Sequence, residues 1–353
     1  MDACPTEVVS LIVKCACSSD FGQTARSIGL VSKFFQAIAK PIELRIIAVS
    51  GLKQLQGAVE MLHSLKASNS SEVVDVRHLF ICEATHAVAA DYVPRSGYGH
   101  TRHGVLGDTT DRENSDKFWK LAGALVRNAS PNLQTLSLLT LVNWSAPLRS
   151  VPRPVNPKVL GVLSGVAFPN LESLTVSHDA TTEFVCSGED RTLLQSPITP
   201  SLRRLRIRSP IFLSRMNYRD QNTPQEIHPL FVNAKRQESK ITHLIICEDR
   251  MWTAERAMKT IFGVDWRAQL QNGTLPGEFQ SVILEQGIMP RFGCGTGFRN
   301  YQLRTQQFVD TVVGLNVNGL EARLPTPAHP EAWKREYETL LSEWKEQILA
   351  IRN

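Results

Sequence analysis

A short phrase recurs along the chain and restricts the fold more than any other feature of the sequence. It runs apolar, two variable residues, leucine, one variable residue, apolar. The copies are Val76-Arg77-His78-Leu79-Phe80-Ile81, Leu133-Gln134-Thr135-Leu136-Ser137-Leu138, Leu171-Glu172-Ser173-Leu174-Thr175-Val176 and Leu202-Arg203-Arg204-Leu205-Arg206-Ile207. Two looser ones follow, Ile241-Thr242-His243-Leu244-Ile245-Ile246 and Phe279-Gln280-Ser281-Val282-Ile283-Leu284. Successive copies begin 57, 38, 31, 39 and 38 residues apart. The alternation at the end of each phrase is strand periodicity, and the spacing leaves room for a covering helix between strands. The phrase therefore predicts one strand per copy in a growing parallel sheet, with helices on one side.

Helical spacing appears where this scheme requires it. Phe118, Leu121, Ala122, Leu125 and Val126 precede the second copy, and Val159, Val162, Leu163, Val166 and Ala167 precede the third. Gly161 and Gly165 weaken the latter. The pattern resembles degenerate leucine-rich repeats; an ordinary α/β sheet whose strands share the phrase is the alternative.

Composition agrees with a folded chain. Of 353 residues, 42% are hydrophobic and 21% charged, which argues against wholesale disorder and against a fibre. The length suits about two domains or one extended array. Basic residues number 39 and acidic ones 34, a formal +5 spread over mixed clusters such as Glu189-Asp190-Arg191, so no nucleic-acid partner is expected. The densest basic stretch, Arg203, Arg204, Arg206 and Arg208, alternates with Leu205 and Ile207 and reads as the solvated face of a strand, ahead of a phosphate site. Seven cysteines without a C-x-x-C pair read as reduced thiols. Asp2 and Glu7 do not suit a secretory leader, and no apolar run reaches the roughly 18 residues of a membrane helix. A cytoplasmic or nuclear location and no membrane partner are expected.

At the start of the chain, Val8, Val9, Ile12, Val13 and Ala16 recur at helical spacing after Pro5. A second helix is expected from Thr24 to Lys40, with Ala25, Ile28, Val31, Phe35 and Ile38 on one face and Pro41 as its stop. Leu30 and Phe34 widen that face beyond what two short helices can bury against each other, so something else must cover it.

Two segments here, Pro5-Thr6-Glu7-Val8-Val9 with Ile12 and Leu30-Val31-Ser32-Lys33-Phe34-Phe35, are together similar to the F-box. The resemblance covers about residues 3 to 41, and Ile46 to Leu52 looks like the strand that follows the F-box in many fungal members. It implies that the N-terminal helices dock on a Skp-type adaptor and through it on a cullin ubiquitin ligase, while the remainder captures a protein substrate. The adaptor-facing candidates are Pro5, Val8, Val9, Ile12, Leu30, Val31, Phe34, Phe35 and Ile38; which of them instead pack the helices together is left open by the sequence.

The C-terminal segment carries Trp333, Tyr337, Leu340, Leu341, Trp344, Ile348 and Leu349 on one helical stripe. Its simplest role is to cover the last face of the repeat array; docking on a partner is the alternative.

Catalytic and ligand motifs are weak. Gly161-Val162-Leu163-Ser164-Gly165 is out of step with a nucleophile elbow. Gly293-Cys294-Gly295-Thr296-Gly297 reads as a loop without the strand-to-helix frame of a phosphate cradle. His100 and His103 near Asp108 and Asp111 have a zinc-compatible spacing but fall in a polar insertion from Pro94 to Asn114. The remaining histidines, including His78 and His243, read as variable positions of the repeat.

The expectation is an α/β chain: a short helical F-box at 1–50, an irregular leucine-rich-repeat-like solenoid with a parallel sheet at 51–325, and a C-terminal amphipathic capping helix at 326–353. It would be non-catalytic, without cofactor or metal, and would serve as the substrate-recognition subunit of a Skp–cullin–F-box ligase. The competing reading is a repeat scaffold that binds partners without any ligase.

Overall fold

Leu79, Leu136, Leu174, Leu205, Leu244 and Val282, the fourth residues of the six phrases, lie side by side on neighbouring parallel strands. The register of the sheet is thus the register of the phrase. The computed structural model describes residues 4–17, 23–67, 75–83, 109–140, 158–177, 197–208, 240–248, 258–259, 261–286, 295–323 and 332–352. Within them the chain is mixed α/β, with a single eight-stranded parallel sheet in sequential order and nine helices.

The elements are α1 (Thr6–Ala16), α2 (Gln23–Gly29), α3 (Lys33–Glu43), β1 (Ile46–Ser50), α4 (Gly51–Ala67), β2 (His78–Cys82), α5 (Thr109–Ala129), β3 (Thr135–Leu139) and α6 (Lys158–Leu163). They continue as β4 (Ser173–Ser177), β5 (Arg204–Arg208), β6 (His243–Glu248), α7 (Trp266–Leu270), β7 (Ser281–Gln286), α8 (Gly295–Gly314), β8 (Leu320–Arg323) and α9 (Ala332–Arg352).

Alternation along each strand sends the fourth and sixth residues of the phrase to one face. There Leu79, Ile81, Leu136, Leu138, Leu174 and Val176 join Leu55, Phe118, Ala122, Leu125, Val126 and Val162 of α4, α5 and α6 in the main core. The first residue of each phrase, from Val76 to Ile241, is buried just before its strand. A sheet covered on both faces needs no polar alternation in its middle strands, and every residue of β2, β3 and β4 is buried.

Several elements differ from the sequence expectation. Thr24 to Lys40 is not one helix: α2 stops at Gly29, and Ser32 starts α3 by accepting the Phe35 N–H on its Oγ at 3.2 Å. Pro41 does not stop α3, which runs to Glu43; in a last turn the missing N–H deprives a single carbonyl of its donor, and Leu44 N–H still reaches Lys40 O. The strand expected through Leu52 ends at Ser50, where α4 begins, and it pairs with β2 as the first strand of the sheet. α6 is only 6 residues long because Gly165, at φ 67°, turns the chain out of the helix; Val166 is still buried, while Ala167 is exposed and bridges to Ile198.

α8 and β8 were not foreseen. Gly295-Thr296-Gly297 form the first turn of α8 instead of a loop, and α8 follows β7, so a strand-to-helix order is present. Residues 109 to 114, placed in an insertion by the sequence, open α5.

The largest difference concerns α9, which does not cover β8, the last strand. It returns to the beginning of the sheet and packs Leu340, Trp344 and Ile348 on Ile46, Phe80, Cys82 and Leu139, on the face opposite the main core. Phe80, an aromatic among the variable positions of its phrase, supplies the anchor: its ring lies 5.4 Å from that of Trp344 and 6.0 Å from that of Tyr337.

Candidate protein-interaction surface

The three N-terminal helices close a small core of their own. Val9 and Val13 of α1 and Cys17, its C-cap, stand four residues apart, and all three turn inward. They meet Ala25 and Ile28 of α2 and Phe35, Ile38, Ala39 and Ile42 of α3. Pro5, ahead of α1, accepts the Val8 and Val9 N–H groups on its carbonyl.

A second set of apolar side chains on the same helices is left outside. On α1 these are Val8, Leu11 and Ile12, at i, i+3 and i+4, with Ile12 at 59% exposure. Leu30 and Val31, in the turn between α2 and α3, are 89% and 71% exposed, and Phe34 in the first turn of α3 is 48% exposed. Phe34 keeps an edge contact with Phe35, whose ring points inward.

The structure therefore sorts the nine candidates. Pro5, Val8, Ile12, Leu30, Val31 and Phe34 face outward, whereas Val9, Phe35 and Ile38 pack against the internal cluster. Leu11 joins the outward group although the sequence reading passed over it. Its signal was present in the sequence: a short helix with Val9 and Val13 on one side has no internal use for a leucine on the other. Ala16, grouped with the buried stripe, is exposed, and Cys17 takes its place.

The inner face of the sheet, meaning the face that α9 partly covers, is a different surface. On β5, Leu205 and Ile207 enter the main core while Arg206 projects to the inner face. Arg206 is not solvated, as the alternation had suggested: at 13% exposure it pairs with Glu343 of α9 and, at 2.9 Å, with Glu285 of β7. Burial alone would lower its pKa, but Glu285 and then Glu343 outweigh this, and the guanidinium is held above its ordinary value. Arg323 of β8 reaches Glu285 and Glu321 at 3.2 Å each.

Hydroxyls and imidazoles complete this face. Thr135 Oγ1 lies 3.1 Å from His78 Nδ1 and accepts the Trp344 indole N–H at 3.1 Å. Ser173 donates to Gln347 Oε1 at 2.8 Å. His243 is half-buried beside Arg204, its strand neighbour; burial first and the guanidinium second lower its pKa. Burial, then the Cys82 thiol, raises the pKa of Tyr337 against a smaller opposing effect of its hydrogen bond with Ser50.

The weaker motifs gain nothing. His100, His103 and Asp108 lie outside the described residues, as do Gly293 and Cys294, and among the described residues no group of three or more His, Cys, Asp or Glu could hold a metal ion. Gly161 and Ser164 lie at the end of α6 and not at a strand-to-helix turn. A shallow cleft of about 300 Å³ between α5 and α6 is lined by Asp116, Trp119, Lys120, Arg127 and Val162. No helix among the described residues is long and apolar enough to cross a membrane. Comparisons with protein-family models, curated proteins and solved structures found no match for the chain.

Proposed function

We propose that the chain is a non-catalytic substrate-recognition subunit of a Skp–cullin–F-box ubiquitin ligase. In this reading α1 to α3 dock on a Skp-type adaptor, which links them to a cullin, and the repeat domain holds a protein target in the cytoplasm or nucleus. The observation that carries it is the outward apolar set Val8, Leu11, Ile12, Leu30, Val31 and Phe34, on a helical unit whose internal cluster is already closed by other residues. Large apolar side chains exposed in this number on one small helical unit suit a contact surface, since the internal cluster does not use them. The resemblance of the same residues to the F-box names the partner class.

The mechanism asks for no reactive side chain. Two binding surfaces on one chain hold the target near a ubiquitin-charged enzyme, and the resulting effective concentration replaces catalysis by this subunit.

The test is co-purification of the intact chain with a Skp-type adaptor, in parallel with a Leu30→Asp/Phe34→Ala variant shown to be folded by circular dichroism. A carboxylate forced into an apolar contact and a missing aromatic anchor should weaken binding on the order of a thousandfold. Failure of the native chain to bind would remove the ligase reading and leave a repeat scaffold whose N-terminal helices serve another partner.

A further inference from the structure

The face beneath α9 is not composed like a permanent core. A core sheet face carries aliphatic residues, as the opposite side does with Leu136, Leu138, Leu174, Val176, Leu205 and Ile207. The inner face carries Thr135, Ser137, Ser173, Thr175 and Arg206 at the intervening positions. The apolar contacts made with α9 come from the first strands of this face, through Ile46, Phe80, Cys82 and Leu139, while Ile245 and Ile283 lie on the same face beyond Arg206. An aromatic anchor on β2 and a guanidinium on β5, with hydroxyls between them, give this face both apolar and polar contacts to offer.

Two of the polar attachments of α9 also have substitutes on the sheet. Arg206, which holds Glu343, is bonded at 2.9 Å to Glu285 of β7 as well. Thr135 Oγ1, which receives the Trp344 N–H, lies within hydrogen-bond distance of His78 Nδ1. Departure of α9 therefore strands neither the buried cation nor the buried hydroxyl, and the main reason such contacts are costly to break is missing. The apolar cluster that α9 completes is separate from the main core, whose buried residues come from the strands and the helices on the far side. Detached, α9 loses the tertiary packing that supplies most of a protein helix's stability, and it gains chain entropy.

From these features we infer that α9 is a displaceable internal ligand of the inner sheet face, and that this face accepts an amphipathic helix carrying aromatic anchors and a carboxylate for Arg206. α9 would open while the sheet stays folded, and a competing helix of the same chemistry could take its place. The inference does not depend on the adaptor reading, because its test reads the state of α9 and not any contact of α1 to α3.

Hydrogen exchange of the intact chain, followed by mass spectrometry, tests the first half. Amides of α9 should exchange at least tenfold faster than those of β3 to β7, and Glu343→Gln should speed α9 several-fold further while leaving the strands unchanged. The second half uses a fluorescent synthetic peptide of residues 332–352 added to the intact chain. Saturable capture of this peptide, lost in its Trp344→Ala version, is the expected result. Loss of protection in α9 and in β3 to β7 as one cooperative event would overturn the inference. So would an α9 that opens without capturing the peptide, since the face would then be no docking surface.

Discussion

The Trp344 indole N–H donates to Thr135 Oγ1 at 3.1 Å, joining residues 209 positions apart in the chain. Both are buried, and Thr135 also faces His78. Thr135→Val keeps the shape of the side chain and removes the acceptor, leaving a buried indole N–H unpaired. Docking of α9 should weaken by about 1–3 kcal/mol. Faster exchange of α9 amides than in the native chain, with β4 to β7 unaffected, is the check.

Arg206 offers a sharper contrast with its neighbours. Arg206→Met removes the common partner of Glu285 and Glu343; Glu343 is free to swing into water, whereas Glu285, 14% exposed, keeps only Arg323 among the described residues. Breaking a buried ion pair from one side costs on the order of 3 kcal/mol. In urea unfolding Arg206→Met should lose most of this amount, and Arg203→Met, at an exposed position, should change stability by less than about 0.5 kcal/mol.

Exposure separates function from stability at the N-terminus. Leu30→Asp should leave the unfolding midpoint nearly unchanged, within about 0.5 kcal/mol, because that side chain is 89% exposed. Val13→Ala, at 3% exposure, should cost on the order of 1–2 kcal/mol. If both variants proved equally destabilised, the outward set would be part of the fold and not a surface.

Gly319 permits the turn into β8. Its φ is 82°, and an added Cβ would run into the Gln280 carbonyl of the preceding phrase. Gly319→Ala should destabilise by at least about 1–3 kcal/mol from the backbone conformation alone. Increased exchange in β7 and β8 before the rest of the sheet would locate the damage.

His243 gives the sheet a mild pH dependence. Its folded pKa is lowered, by burial first and by Arg204 second, so the unfolded chain binds the proton more readily. Stability from this group is complete above the unfolded value of about 6.5 and is lost as the pH falls through the lower folded value. His243→Gln should flatten that part of a stability–pH curve; a curve identical to that of the native chain would remove His243 as its source.

Where the sequence was legible, one physical constraint dominated. Residues such as Leu136 and Leu174 must both enter the core, so identical phrases align as identical strand positions, and six of eight strands follow from that alone. β1 was foreseen as a strand but not as part of the sheet, since Ile47 and Val49 lack the leading residues of the phrase. β8 escaped because Leu320-Glu321-Ala322-Arg323 alternates charge at an edge and buries little. α8 hid its stripe, Thr305, Phe308 and Val312, behind a polar composition and an opening pair of glycines. The direction of α9 could not be read at all. Its stripe announces that it is buried against something, whereas its partner is decided by Phe80, a single aromatic at a position the repeat leaves variable.

The return of α9 to β1, β2 and β3 also sets an order of events during synthesis. Phe80 and Leu139 emerge from the ribosome long before Trp344, and at usual elongation rates the 209 residues between Thr135 and Trp344 take roughly 10–40 s to make. Through that interval the neighbouring strands can assemble one after another on the outer helices, while the inner side of the earliest ones stays wet. A nascent chain of this kind carries an apolar patch on its early strands and makes the cover for it much later, so the interval before α9 arrives is the natural moment for a chaperone to act.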